Sequence, residues 1–177
     1  METEFEVKIL DVDVEQIKKK LAELGAEKLA EKNMRRYVYD IKPEWTSTWI
    51  RLRDTGEKST LTIKEIQKHE IDGTKEIEVV VNDFEKTNEL LNKLGFVHKA
   101  YQENNRISYK LSDVKIEIDF WPMIPPYIEV EGKNKEDVEK VVKLLGFTME
   151  QTTGLGVGKV FKHYGIEIHD FKELKFN

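Results

Sequence analysis

The feature that most constrains this fold is an alternation of charged and apolar residues that recurs in seven segments. In the first, Glu4, Glu6 and Lys8 alternate with apolar residues. Successive side chains of a β-strand point to opposite faces, so the pattern predicts strands with one charged and one apolar face. The other six segments are residues 49–53, 60–64, 76–79, 104–110, 115–119 and 127–131.

Two arrangements of such strands are open. An antiparallel sheet with one face in water gives this alternation by itself. However, several strands read Glu-x-Glu or Arg-x-Arg, which places like charges about 7 Å apart on one face, where they repel each other. In the alternative, about eight antiparallel strands close into a barrel whose interior is charged and whose apolar outer face is covered by helices. Acidic and basic residues then face each other across a tunnel.

Three segments with helical spacing of apolar residues supply those helices. They end at Leu24-Gly25, Leu94-Gly95 and Leu145-Gly146, and a glycine after the last apolar residue is typical of a helix C-terminus. We therefore predict an α+β protein, an eight-stranded antiparallel β-barrel covered outside by helices. No segment resembles a linker, so residues 1–177 are expected to form a single domain.

The amino-acid composition argues against several classes of function. Lys and Arg total 29 against 34 Asp and Glu, a net charge of −5, which argues against a nucleic-acid partner. There is no Cys, which excludes thiolate catalysis and zinc–thiolate sites. No apolar run approaches the ~18 residues of a membrane span, and the first residues lack the features of a signal peptide. We expect a cytoplasmic protein without a membrane partner, and a homodimer is compatible with these features.

Carboxylates and guanidinium groups in one cavity suit the binding of a metal–polyphosphate. Carboxylate oxygens are hard ligands for Mg²⁺ or Mn²⁺, and arginine pairs with phosphate oxygens in a bidentate manner. Phosphoryl transfer depends on positioning and charge stabilisation, so it requires no Ser, Cys or His nucleophile.

The ordered set of charged residues resembles the CYTH superfamily, the triphosphate tunnel metalloenzymes, over roughly residues 1 to 165. The set comprises Glu4-x-Glu6-x-Lys8, Arg51-x-Arg53, Lys64, Glu76-x-Glu78, Arg106, Asp119 and Glu129-x-Glu131. The resemblance implies an eight-stranded tunnel that admits triphosphates and depends on Mg²⁺ or Mn²⁺.

The resemblance implies a role for each residue of the set. The metal ligands would be Glu4, Glu6, Glu129 and Glu131. The phosphate-binding residues would be Lys8, Arg51, Arg53, Lys64 and Arg106. The catalytic carboxylates would be Glu76, Glu78 and Asp119.

We predict a metal-dependent hydrolase of inorganic or organic triphosphates. The alternatives are a class IV adenylate cyclase, which forms cyclic AMP and pyrophosphate from ATP, and a non-catalytic polyphosphate- or nucleotide-binding module.

Two segments depart from simple patterns. Many family members have Lys-x-Arg where this chain has Asn104-Asn105-Arg106, so a phosphate-side lysine is either missing or supplied from elsewhere, with Lys110 as one candidate. Residues 154–159 resemble a phosphate-binding loop but lack its first glycine and its Ser or Thr. We interpret them as a hinge before a C-terminal segment, about 155–177, that is a candidate to plug one mouth of the tunnel.

Overall fold

The computed structural model describes residues 1–41 and 47–177, which form nine strands and four α-helices. The strands are β1 Glu2–Ile9, β2 Glu27–Asp40, β3 Thr48–Asp54, β4 Ser59–Ile66, β5 Thr74–Val81, β6 His98–Leu111, β7 Val114–Phe120, β8 Tyr127–Gly132 and β9 Glu173–Leu174. The helices are α1 Val14–Glu23, α2 Phe84–Lys93, α3 Lys135–Leu144 and α4 Val157–His163.

Strands β1 to β8 form a closed antiparallel barrel. Their order is β2-β3-β4-β5-β1-β8-β7-β6, and β2 also pairs with β6, which closes the ring. This closing ladder is long, running from Glu27 opposite Lys110 to Tyr39 opposite His98. The short β9 adds to β6 in parallel. The predicted eight-stranded antiparallel barrel is therefore confirmed.

Three helices pack on the outside of the barrel, as predicted, but they leave Ile77 and Val79 on the outer face of β5 about half exposed. Helices α1 and α3 pack their buried residues against the outer faces of β1, β6, β7 and β8, where Leu21, Val138 and Ile116 are fully buried. Helix α2 packs on β2 and β3 through Phe84 and Leu91. The first helical residue of each is preceded by an Asp or Asn that caps it, and burial of one apolar stripe holds it on the barrel.

The C-terminal segment lies against one end of the barrel. Val160 and Phe161 of α4 are buried against Trp121 and Tyr127, which flank the connection between β7 and β8. Just before α4, a Cβ atom at Gly154 would stand 2.9 Å from backbone atoms of the β4–β5 connection. Only glycine permits that close approach. The segment thus contributes to the wall of the interior, and its role as a plug stays a prediction.

None of the helices in the two described ranges is long and apolar enough to cross a membrane.

Candidate functional site

The barrel encloses a cavity of about 730 Å³ lined mainly by charged residues. Eleven of the twelve predicted site residues line it: Glu4, Glu6, Lys8, Arg51, Arg53, Lys64, Glu76, Glu78, Arg106, Glu129 and Glu131. The strand alternation explains this result, because each of these side chains lies on the face opposite the apolar outer face. The charged interior expected from the sequence is present.

A group of carboxylates and one lysine forms the wall contributed by β1 and β8. The ammonium of Lys8 contacts Glu6 and lies 3.2 Å from Oε1 of Glu129. Lys8 is only 5% exposed and Glu129 7%. Burial opposes both charges, but Glu129 and Glu6 raise the pKa of Lys8, while Lys8 and Arg106 hold the pKa of Glu129 well below its usual range. Both side chains are therefore charged at neutral pH.

A second lysine joins β4 to β1 and β5. The Lys64 ammonium lies 2.8 Å from Oε2 of Glu4 and 3.2 Å from Oε2 of Glu76. The carboxylates predicted to bind metal and the lysines predicted to bind phosphate are thus paired with each other. A bound metal–triphosphate would exchange these contacts for metal–carboxylate and lysine–phosphate contacts.

The opposite wall is rich in arginine. Arg51 and Arg53 of β3 share a single carboxylate, with their Nη2 atoms 3.5 and 3.4 Å from Oε2 of Glu78. Thr62 donates a hydrogen bond of 2.8 Å to the same oxygen. The neighbouring Arg51, burial and Arg106 lower the pKa of Arg53 to about 10. This shift reports repulsion among guanidinium groups that an anion would relieve.

Arg106 is held between three carboxylates. Its Nε donates to Oδ1 of Asp119 at 2.8 Å, its Nη2 lies 2.6 Å from Oε2 of Glu129, and its Nη1 contacts Glu117. Burial opposes the charge, yet Asp119, Glu117 and Glu129 raise the pKa of Arg106 above its usual range. Asp119 is fully buried and lies behind Arg106, off the cavity surface. Its position orients the guanidinium and differs from that of the cavity-lining carboxylates.

The carboxylates on the inner faces of β1, β7 and β8 provide oxygen ligands that fit a divalent cation. Glu6 of β1 lies directly opposite Glu131 of β8, and Glu129 opposite Glu117 of β7. Burial raises the pKa of Glu131; Lys115 opposes the rise and Glu6 and Glu117 add to it. Crowded carboxylates of this kind are hard-oxygen donors that a cation would neutralise. In the described parts of the chain, no three acidic or histidine side chains already surround a common metal position.

Several cavity residues were not among the predicted site residues. Among them are Arg36 of β2, Trp121 and Tyr127. Arg36 lies two residues from the apolar Met34 and Val38, in a segment that the sequence pattern did not identify as a strand. Lys110, the candidate replacement for the missing lysine, is not on this wall: it is largely exposed and lies 3.7 Å from Asp113.

The barrel, with its acidic and basic walls, agrees with the sequence comparison. Residues 2–160 match the CYTH domain family. The chain belongs to that family. A relative from Methanocaldococcus jannaschii is provisionally named an adenylate cyclase. It is 31% identical over 166 residues, which cover 90% of this chain and 91% of the relative.

Solved structures of CYTH-like proteins share the fold. A Pyrococcus horikoshii protein superposes with a TM-score of 0.75 at 27% identity, over 86% of this chain and 96% of that one. A Hippeastrum protein that was provisionally named an adenylyl cyclase and is described as having a dominant triphosphatase activity superposes with a TM-score of 0.61 at 16% identity, over 97% of this chain and 100% of that one. At that identity the second likeness concerns the fold alone.

Proposed function

We propose that this CYTH protein is a divalent-metal-dependent hydrolase of triphosphates that acts inside the barrel. The observation that supports the proposal most directly is that an acidic wall and an arginine-rich wall face each other across one cavity. Carboxylates of β1 and β8 face the guanidinium groups of β3; Glu6 lies beside Glu131 on the first wall, and Arg51 and Arg53 share the carboxylate of Glu78 on the second. A metal–triphosphate carries both the cation and the anion that the two walls lack.

Binding would divide between the two walls. Glu4, Glu6, Glu129 and Glu131 would hold the metal, Mg²⁺ or Mn²⁺. When bound, it would withdraw charge from the phosphate oxygens and lower the pKa of a bound water. Lys8, Arg51, Arg53, Lys64 and Arg106 would bind phosphate oxygens. Such fixed charges in a shielded site stabilise the charge that develops during phosphoryl transfer.

The three remaining carboxylates would have different roles. Glu78 holds Arg51 and Arg53 together, so it would orient these two residues toward the substrate. Glu76 is partly buried and contacts only Lys64 among the described cations, so it is the better candidate to accept a proton from the attacking water. Asp119 would act through Arg106, whose guanidinium it positions.

Adenylate cyclase is the second candidate, and the name of the Methanocaldococcus jannaschii relative favours it. In that reaction the ribose 3′-hydroxyl attacks the α-phosphorus and pyrophosphate leaves. The same walls would bind the triphosphate of ATP, so the two reactions differ in which phosphorus is attacked.

A substrate panel separates these reactions by product. The protein is incubated with tripolyphosphate, ATP and thiamine triphosphate, each with Mg²⁺ or Mn²⁺. Orthophosphate from any of them supports the hydrolase, cyclic AMP with pyrophosphate supports the cyclase, and binding without product supports a binding module. If neither product nor binding is seen with any of them, the proposed function is wrong.

A matched pair of variants ties the activity to the tunnel. Arg53→Ala removes a cavity guanidinium, whereas Arg35→Ala removes one from the outer face of β2, where Arg35 lies 3.1 Å from both Asp54 and Glu85. Only the first should lower the rate of product formation. Equal losses in both variants would point to an effect on folding.

A further inference from the structure

Arg36 is a buried cation of the barrel that has no carboxylate paired with it among the described residues. Its side chain lines the cavity, and the residue is only 6% exposed. Its Nη2 donates to the side-chain oxygen of Asn104, a neutral group, and within residues 1–41 and 47–177 no carboxylate lies within ion-pair distance of it. Its Nε is buried without a hydrogen-bond partner. A buried charge without a counter-ion is costly.

The neighbours of Arg36 increase that cost. Arg36 lies directly opposite Arg53 in the ladder between β2 and β3. Burial, together with Arg51, Arg53 and Arg106, lowers the pKa of Arg36. Glu78 is already shared by Arg51 and Arg53, so the three arginines of β2 and β3 have one paired carboxylate between them.

Two further donors near Arg36 also lack partners. The guanidinium of Arg36 stacks over the ring of Trp121, with Cζ 4.7 Å from the ring centroid. The Nε1 of Trp121 and the hydroxyl of Tyr127 are buried and have no hydrogen-bond partner among the described residues. Buried donors in native proteins are nearly always satisfied, and both residues line the cavity, so these unsatisfied donors are available to an acceptor bound there.

We propose that Arg36, Trp121 and Tyr127 form an additional phosphate-binding subsite, which we call the Arg36 subsite. A phosphoryl group there would supply acceptor oxygens to the guanidinium, the indole N–H and the phenol O–H, and would separate the charges of Arg36 and Arg53. Asn104 would then orient Arg36 from one side while Trp121 holds it by stacking. The subsite rests on the proposed triphosphate function and extends it to residues that the sequence pattern did not assign.

The test compares ligand binding with the stability of the free protein. Binding of tripolyphosphate is measured by calorimetry in EDTA, so that metal-dependent turnover does not consume the ligand, and Tm is measured with and without it. Arg36→Met should weaken binding by about tenfold or more, because a charge-assisted contact is lost. It should leave the Tm of the free protein unchanged or raise it, because an unpaired buried charge is removed. Arg36→Lys should restore part of the affinity.

Two further variants complete the design. Tyr127→Phe removes one orphaned hydroxyl and keeps the ring, so it should weaken binding several-fold without lowering the Tm of the free protein. Arg35→Met is the matched control, since Arg35 is the neighbouring residue on the outer face and should leave binding unchanged.

The outcomes separate the two proposals. If wild-type protein binds tripolyphosphate and Arg36→Met binds equally well, the Arg36 subsite is wrong and the proposed function stands. If Arg36→Met destabilises the free protein, Tyr127→Phe decides, and unchanged affinity in that variant would overturn the subsite. If the wild type binds no tripolyphosphate with or without Mg²⁺, both proposals fail.

Discussion

The ammonium of Lys64 donates to both carboxylate oxygens of Glu4, at 2.9 and 2.8 Å, across the intervening strand β5. A residue proposed to bind phosphate is therefore paired with one proposed to bind metal. Since Lys64 also lies 3.2 Å from Oε2 of Glu76, one ammonium is shared by two carboxylates. If Glu4 binds metal as proposed, metal and lysine would compete for it, whereas substrate and metal would bind together.

The first prediction follows from this competition. Lys64→Met should tighten Mn²⁺ binding several-fold in the absence of substrate, because Glu4 is freed, and should weaken tripolyphosphate binding, because a cation is lost. Metal affinity is measured by the paramagnetic effect of Mn²⁺ on water relaxation, and anion affinity by calorimetry. The control is Lys75→Met, on the other face of β5. Weaker binding of both metal and tripolyphosphate by Lys64→Met would contradict the competition.

The second prediction concerns the arginine wall. Arg53→Ala should reduce kcat/KM by about 2 kcal/mol of transition-state stabilisation, or roughly thirtyfold. Because Arg53 is repelled by Arg51 and Arg106, the free energy of unfolding should not fall. The two quantities are measured by steady-state kinetics and urea denaturation. An unchanged rate would show that Arg53 does not contact the substrate.

The third prediction concerns the metal. Glu129→Gln keeps the shape of the side chain but removes an anionic ligand, so it should raise the Mg²⁺ concentration needed for half-maximal activity. Glu136→Gln, on the exposed side of α3, is the control and should leave that concentration unchanged. EDTA should abolish activity in the wild type, and Mg²⁺ should restore it. Activity that persists in EDTA would rule out the metal role of these carboxylates.

The fourth prediction concerns acid stability. Burial opposes the charge of Glu78, but the hydrogen bond from Thr62 and the charges of Arg53 and Arg51 lower its pKa below the ordinary value of 4.5. An acid with a lower pKa in the folded state stabilises the fold above its unfolded pKa and loses that contribution as the pH falls. Glu78→Gln should therefore flatten the decline of the unfolding free energy between about pH 6 and about pH 3.

Urea denaturation at several pH values, in EDTA, measures that decline. Glu89→Gln, at an exposed position of α2, removes one charge outside the tunnel and should retain the wild-type slope. Identical slopes for Glu78→Gln and the wild type would show that the arginines do not stabilise the Glu78 carboxylate.

Much of the site could be predicted from local pattern. Side-chain alternation has a period of two whatever the strand pairs with, so the charged face of β1, with Glu4, Glu6 and Lys8, is visible in the sequence. The helices that end before Gly25, Gly95 and Gly146 are equally local, because capping and apolar spacing involve residues within one element. These signals, together with the family resemblance, were enough to assign cavity-lining residues on six of the eight barrel strands, all except β2 and β7.

Strand β2 could not be predicted in the same way. Its pairing with β6 shifts register between Lys28 and Ala30 and again between Val38 and Tyr39, so no single alternation runs along it. Arg36 lies in the stretch between the two shifts, where Arg35 is on the opposite face and the apolar Val38 is on the same face, so charge does not mark one face of the strand. Likewise, the burial of Asp119 behind Arg106 depends on the pairing of β6 with β7 and could not be distinguished from a cavity position by alternation alone.

The sequence by itself determined which residues alternate, where helices end and that opposite charges gather on one face of the strands, because these properties depend on neighbours along the chain. Only the tertiary structure decided that the sheet closes, that Arg36 faces Arg53 without a carboxylate, and that Lys64 bridges Glu4 and Glu76. Those relationships depend on strand pairing between residues as many as 127 positions apart, as between Phe5 and Gly132, and pairing at that distance is set by the packing of the whole barrel.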